Sequence, residues 1–292
     1  MTSDTMELNP LHGIRRVLSH QPMVMAASLL FLTVMLVCAI GGEYLTPYDA
    51  TLHDLSNRLL PPGSTGPEGR YWFGTEALGR DVLSLSIMGV RPALVISLIA
   101  VLIGMAGGMF AGIFAGYRGG RFGDLLIILT NLQLSFPFFL LAITIVGILR
   151  PSVPLVIAVL ALGSWVRFAR VTYSDTMQIK NLEYIEAVHV MRGTGLRVLL
   201  RHILPNVLPN VLVLSTFTLG TVIVMESGLS FIGLGVPTDT PTWGRMLSEG
   251  RDYMQTAWWL TVVPGVCIFL LVLAINIVGE QLRDLADPKL SL

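Results

Sequence analysis

Residues 186–205 read EAVHVMRGTGLRVLLRHILP. The stretch is polar, basic and helix-compatible, and it ends on Pro205. Apolar runs long enough to lie in a bilayer flank it on both sides. A polar element kept intact between two membrane-soluble neighbours is placed to touch something in water, and the partner expected there is a soluble protein.

Six apolar runs approach the roughly 20 residues that a spanning helix needs. They are 23–42, 92–117, 125–149, 151–166, 207–225 and 258–279. The fourth is short, and it extends past Arg167 by tilt or by snorkelling of that arginine. The expected fold is all-α and integral to the membrane, with six transmembrane helices. Composition agrees: the 292 residues are 53% hydrophobic and 13% charged, against about 25% charged in soluble domains. Net charge is zero, which points to no nucleic-acid partner. Cys38 and Cys267 both sit inside apolar runs, as buried thiols rather than a disulfide framework. The first run is too long for a signal-peptide core and is expected to stay as a span.

Lysine and arginine placement orients the chain. With the N-terminus inside, Arg15, Arg16, Arg118, Arg121, Arg167, Arg170, Lys180, Arg192, Arg197, Arg201, Arg283 and Lys289 fall inside. Arg58, Arg70, Arg80, Arg91, Arg150, Arg245 and Arg251 fall outside. Both termini are therefore expected in the cytoplasm. The outer segment 43–91 is rich in Pro and Gly and then turns into an interfacial helix. The outer segment 227–257 carries Gly, Pro and Trp in a turn-like pattern.

Gly104, Gly108, Gly112 and Gly116 recur every four residues and so share one helix face. Small residues there let another helix backbone approach closely. The spacing leaves open whether that helix lies in this chain or in a second subunit.

Absences narrow the chemistry. No G-x-x-x-x-G-K-[ST] phosphate loop occurs, so ATP is not bound by that route. The histidines His12, His20, His53, His189 and His202 lie outside the expected spans, and no pair has zinc-ligand spacing. That argues against an intramembrane enzyme. The six apolar cores hold no ionisable residue, with Asp124 and Glu226 at span ends, whereas ion-coupled carriers place one in the bilayer. Polar residues inside spans are mild: Asn131, Gln133, Ser135, Thr216, Thr218, Thr221 and Asn276. They serve interhelical hydrogen bonds or line a path. Gln133, Ser135, Thr218 and Thr221 are the path candidates.

Within the inner loop, Asn181 starts a helix that carries Glu183 and Glu186 near its N-terminus, where the dipole favours anions. Gly193 and Gly195 break it. A second helix over 196–204 stops near Pro205. Ala187, Val190 and Met191 offer an apolar contact surface, and Arg192, Arg197 and Arg201 offer positive charge. An amphipathic helix lying on anionic lipid fits the same residues.

Residues 186–205 resemble the EAA loop of ABC importer permeases, whose pattern is E-A-A, three residues, G, nine residues, I-x-L-P. Glu186, Ala187, Leu204 and Pro205 match. Val188 replaces the second alanine, Arg192 stands at the glycine position with Gly193 beside it, and His202 stands at the isoleucine position. The segment YWFGTEALGRDVLS (71–84) with Gly89-Val90-Arg91 is similar to the outer segment of dipeptide, oligopeptide and nickel permeases. GLSFIGLGV (228–236), PTWGRML (241–247) and GEQLRDLADP (279–288) extend the likeness, which covers residues 8–288 and points to the C-type permease subunit.

The resemblance implies a type I ABC importer permease fold. It divides the chain into a cytoplasmic segment 1–22, a first span with periplasmic segment 23–91, a permease core 92–280 with coupling loop 167–205, and a cytoplasmic tail 281–292. It implies a bacterial inner-membrane subunit that forms half of a path for peptides. The subunit is no enzyme and holds no cofactor of its own; ATP and magnesium sit on partners. Those partners are a homologous second permease in a heterodimer, two ATP-binding subunits, a periplasmic binding protein and the lipid membrane. Glu186 would pair with a basic group of an ATPase, Ala187 and Met191 would pack in its groove, and Gly193 would allow the turn. Arg192 and Pro205 belong to the same coupling element. Arg80, Asp81, Trp243 and Arg251 are candidate contacts for the binding protein. The rival reading is a stand-alone six-helix secondary transporter or channel.

Overall fold

A computed structural model describes residues 22–67, 69–190, 195–236 and 240–286. The helices are α1 Pro22–Leu45, α2 Val82–Arg118, α3 Gly120–Ser135, α4 Phe138–Leu149, α5 Val153–Ile179, α6 Glu183–Val190, α7 Gly195–Phe231, α8 Trp243–Gly250 and α9 Trp259–Ala286. Five of them (α1, α2, α5, α7 and α9) are long and apolar enough to cross a membrane. The bent pair α3–α4 makes a sixth crossing if it is one span. Large apolar side chains face outward on these helices, among them Phe110 at 79% exposure and Ile40 at 78%. Water would penalise such surface, whereas lipid acyl chains are its natural solvent.

The spine of the fold is the parallel contact of α2 with α5. The four glycines spaced by four lie on it. A Cβ added at Gly104 would meet Ala161 O at 3.0 Å and run into Ser164 Oγ. One at Gly108 would sit 2.8 Å from Phe168 Cβ and on Trp165 O. One at Gly112 would land on Ala169 O and Thr172 Oγ1, and one at Gly116 would sit 2.8 Å from Thr176 Cβ. The ridge therefore packs within the chain, backbone against backbone. The end expected to lie inside is closed by Lys180, whose Nζ donates to Gly116 O at 2.8 Å, a cation at a helix C-terminus where the dipole favours it.

Two hydrophobic cores follow one another along α2, one built on residues 96–113 and the other on residues 82–93. One gathers Phe168, Val146, Ile185, Val198, Ile203 and Val211 from α4, α5, α6 and α7. The other gathers Val82, Leu85, Val90, Trp243, Trp259 and Leu271 from α2, α8 and α9. Over the second lies a small outer cap with a two-stranded antiparallel sheet, β1 Ser64–Gly66 and β2 Gly69–Tyr71.

Helix ends differ from the sequence expectation in five places. The second span was expected from residue 92, but α2 starts at Val82 because Asp81 caps it, and Pro92 lies inside it. A proline forfeits one backbone bond, a loss that membrane helices accommodate. The run 125–149 is not one straight helix: α3 and α4 meet at 84°. Pro137 lacks an N–H and holds Phe136 extended, at φ −99° and ψ 126°. The fourth span extends past Arg167 as expected but runs on as far as Ile179, so Arg170 too lies inside a helix rather than in an inner loop. Pro205 does not end a helix either. A π-helical stretch Leu199–Ile203 widens the turn ahead of it, and the helix continues to Phe231. Glu226 accordingly lies within α7 rather than at its end, 1% exposed, with Oε1 accepting from Ser230 Oγ at 2.7 Å.

Gly112→Leu should cost about 3 kcal/mol or more, because the added atoms meet backbone that cannot yield. Gly107→Leu is the matched control, since nothing lies within 4 Å of its Cβ position. Thermal unfolding of the detergent-solubilised protein should show a large loss for the first and little change for the second; equal behaviour would contradict the α2–α5 contact.

Candidate functional site

At the inner end, α6 projects between α5 and α7. One side of α6 and of the first turns of α7 is pinned: Ile185 of α6 and Val198 and Ile203 of α7 are all fully buried, and Val188 packs against the same core. Gly195 sits close to Tyr117, where an added Cβ would meet Oη at 3.0 Å. The opposite face is apolar and open, with Leu182, Tyr184, Leu196 and Leu200 all exposed. Tyr184 also stands 6.3 Å from the His202 ring. Of the coupling candidates, Pro205 lies at the start of the α-helical part of α7. Glu186 and Ala187 belong to α6, with only their backbone described. Met191, Arg192 and Gly193 lie outside the described residues. The four exposed apolar residues were not singled out from sequence. Their signal is the alternation of buried and exposed leucine and isoleucine around the loop, which reads only once the buried half is known.

Along one side of the spine, α3, α5 and α7 share a polar face. Gln133 bridges α3 to α5: its Nε2 donates to Leu162 O, and its Oε1 accepts from Trp165 Nε1 at 2.5 Å. Ser135 is exposed and donates to Asn131 O at 2.9 Å. Thr221 donates to Phe217 O at 3.1 Å and accepts from Arg167 Nη1 at 3.2 Å. Thr218 is 1% exposed and donates to Leu214 O at 2.8 Å, which places it inside the packing rather than on an open face. The structure thus brings Gln133, Ser135 and Thr221 to the polar face and leaves Thr218 off it. Arg167 and Arg170 join them. Since Glu226, Arg167 and Arg170 all lie within long apolar helices, the expected absence of ionisable groups there does not hold; an apolar run ends before its helix does.

At the outer end, two of the four candidate contacts are buried. Asp81 is 2% exposed and caps α2, its Oδ2 accepting from Ser84 N at 2.8 Å and Ser84 Oγ at 2.7 Å. Burial pushes its carboxyl above the usual carboxylate range, against the pull of those bonds. Trp243 is 1% exposed; its Nε1 donates to Ser86 O at 2.9 Å, and its ring fills the space left by Gly89. Neither presents surface to a second protein. Arg80 is held by Glu76 at 2.8 Å, with Glu249 at 3.8 Å. Arg251 is the exposed one, 3.6 Å from Asp252. Trp259 is buried as well, and its Nε1 donates to Thr75 O at 3.2 Å, tying α9 to the cap. Exposed Trp72, Met254 and Trp258 surround this end, and Arg70 lies 4.7 Å over the Trp72 ring.

Comparison with known proteins matches this arrangement of helices. Residues 108–292 match the model of the binding-protein-dependent transport system inner membrane component family. Residues 9–62 match the N-terminal transmembrane domain of oligopeptide transport permease C. The chain is 37% identical over 263 residues to the di/tripeptide transport system permease protein DppC of Pseudomonas aeruginosa, covering 90% of this chain and 87% of that one. It is 37% identical over 281 residues to the glutathione transport system permease protein GsiD of Escherichia coli, covering 96% and 91%. Among solved structures, the MetNI methionine ABC transporter in an inward-facing conformation aligns with a TM-score of 0.59 at 19% identity, over 70% of this chain and 96% of that one. That likeness carries the fold, and the sequence relatives carry the family. This chain belongs to the binding-protein-dependent transport system inner membrane components and is a multi-pass inner-membrane permease subunit of an ABC importer.

Proposed function

We propose that this chain forms half of a translocation path for small peptides, paired with a homologous second permease and driven by two ATP-binding subunits. A periplasmic binding protein delivers the cargo. ATP and magnesium stay on the ATPase subunits, and both termini of this chain lie in the cytoplasm. The relatives named for di/tripeptides and for glutathione share one chemistry, a short peptide with a free carboxylate. That common element supports the substrate class.

The observation that carries the mechanism is the two-faced inner element. Its buried residues Ile185, Val198 and Ile203 join it rigidly to the core. Its exposed residues Leu182, Tyr184, Leu196 and Leu200 have no use in water and suit the groove of a soluble subunit. A push delivered there by closing ATPase subunits passes to α5 and α7 without loss in side-chain motion. A stand-alone carrier needs no such surface, and an amphipathic helix resting on lipid would not require its other face locked into protein. Glu186 supplies the ion pair to the ATPase, Ala187 and Met191 the groove contact, and Gly193 the turn that Arg192 and Pro205 flank.

In reconstituted vesicles, Glu186→Arg should cut ATP-driven uptake by about tenfold or more and weaken co-purification of the ATPase, with membrane insertion intact. Unchanged uptake would remove Glu186 from coupling. At the outer end, Arg251→Glu should weaken binding-protein docking several-fold in a pull-down at low salt, with thermal stability unchanged. Asp81→Ala should do the reverse, costing about 1 kcal/mol of stability through the lost cap while docking affinity holds. If Asp81→Ala instead selectively impairs docking, the burial assignment is wrong.

A further inference from the structure

Arg167 and Arg170 are exposed on the polar face of α5, and the glycine register fixes their depth. Gly108 packs at Trp165 and Phe168, and Gly112 packs at Ala169 and Thr172. The two arginines therefore lie level with α2 residues 108–112. At about 1.5 Å per residue, that is about 9–15 Å outward of the α2 C-terminus. Both arginines also lie well inside α5, a helix long and apolar enough to cross a membrane, and cations there are costly and face protein or water-filled space rather than acyl chains.

Their partners are all neutral. Arg167 Nη1 donates to Thr221 Oγ1 at 3.2 Å. Arg170 Nε donates to Thr130 Oγ1 at 3.2 Å, and its Nη2 donates to Asn131 Oδ1 at 2.5 Å. Among the described residues, no carboxylate lies within ion-pair distance of either guanidinium. The nearby Asp175 takes a hydrogen bond from Asn210 at 3.0 Å, and Glu226 is enclosed with Ser230. Hydroxyl and amide acceptors orient the two arginines without neutralising them, and several N–H donors stay unused. The tethers to α3 and α7 hold the charges across the polar face rather than letting them reach down to a headgroup.

We propose that Arg167 and Arg170 are the specificity-determining residues of the translocation path, attracting a carboxylate that a transported peptide carries beyond its C-terminal one, so that acidic peptides are favoured; the inference rests on the peptide reading above. A guanidinium matches a carboxylate in shape and charge. Charge on a low-dielectric wall also raises the local concentration of anionic cargo. Weak hold at two successive arginines lets the cargo move on rather than stay.

The test uses the assembled transporter with Cys38 and Cys267 replaced by alanine and Thr221→Cys as a reporter. The thiol is reacted with an anionic sulfonatoethyl and a cationic trimethylammonium methanethiosulfonate. The ratio of the two rates cancels thiolate fraction and reads local potential. Adding Arg167→Gln and Arg170→Gln should lower the anionic-to-cationic ratio about tenfold. An unchanged ratio, or a thiol that neither reagent reaches, overturns the proposal. So does an effect confined to vesicles containing phosphatidylglycerol, which would make a lipid headgroup the ligand. In parallel, uptake of alanyl-glutamate is divided by uptake of alanyl-glutamine with one binding protein throughout. The same glutamine pair should lower this quotient about tenfold, and lysine at both positions should restore most of it. An unchanged quotient overturns the assignment to substrate carboxylate. Uptake of neither peptide, with the thiol ratio falling as expected, overturns the peptide reading of function alone.

Discussion

The direct contact of backbone with backbone between α2 and α5 is the constraint on which the rest depends. Where Gly104, Gly108, Gly112 and Gly116 meet α5, no side chain of α2 intervenes, so there is no rotamer freedom to absorb a displacement. The two helices behave as one member. α2 is 37 residues long, about 55 Å. Its outer end is capped by Asp81 and clasped by Trp243 at Gly89, and its inner end takes the Lys180 ammonium on Gly116 O. A single stiff element thus joins the cap at one end to the edge of the polar loop region at the other. An importer that must open on one side as it closes on the other needs such a connection.

Lipid is the second constraint. It allows leucine, isoleucine and phenylalanine to cover the outside of α1, α2, α4 and α9, and it makes every polar group inside a span an exception with a use. The exceptions fall into distinct groups. Glu226 is closed into the protein with Ser230. Thr172 and Thr218 bond their own helix backbone. Asn131, Gln133, Arg167 and Arg170 instead reach between helices along one face. Hydrogen bonds confined to one helix satisfy a side chain; bonds that cross helices build a surface, and only the latter set has accessible charge.

Much of the architecture was legible in the chain because hydropathy reports solvent directly. The spans, the inner polar loop and the period-four glycines all follow from residue type and spacing. Helix ends were less legible. Pro92, Pro205 and Glu226 each looked like a terminus, yet each sits within a helix. A change in polarity marks where lipid contact stops, whereas a helix stops where its backbone bonds lose partners. A cap at Asp81 or a widened turn at Leu199–Ile203 moves that point by ten residues or more. Two of the outer contacts failed for a related reason: Asp81 and Trp243 look like exposed recognition residues in a loop, but burial is a property of what folds over them.

The sequence by itself determined the membrane setting, the helical class, the family and the position of the polar loop between the last spans, because each depends on local composition or an ordered motif. Only the tertiary structure decided which helix the glycine ridge meets, which candidates are buried, and that Arg167 and Arg170 share a face with Gln133 and Thr221. Those facts join residues from 32 to 157 positions apart along the chain. No local pattern encodes such pairings; they arise when helices in a low-dielectric solvent choose the contacts that satisfy every backbone and leave the fewest charges against lipid.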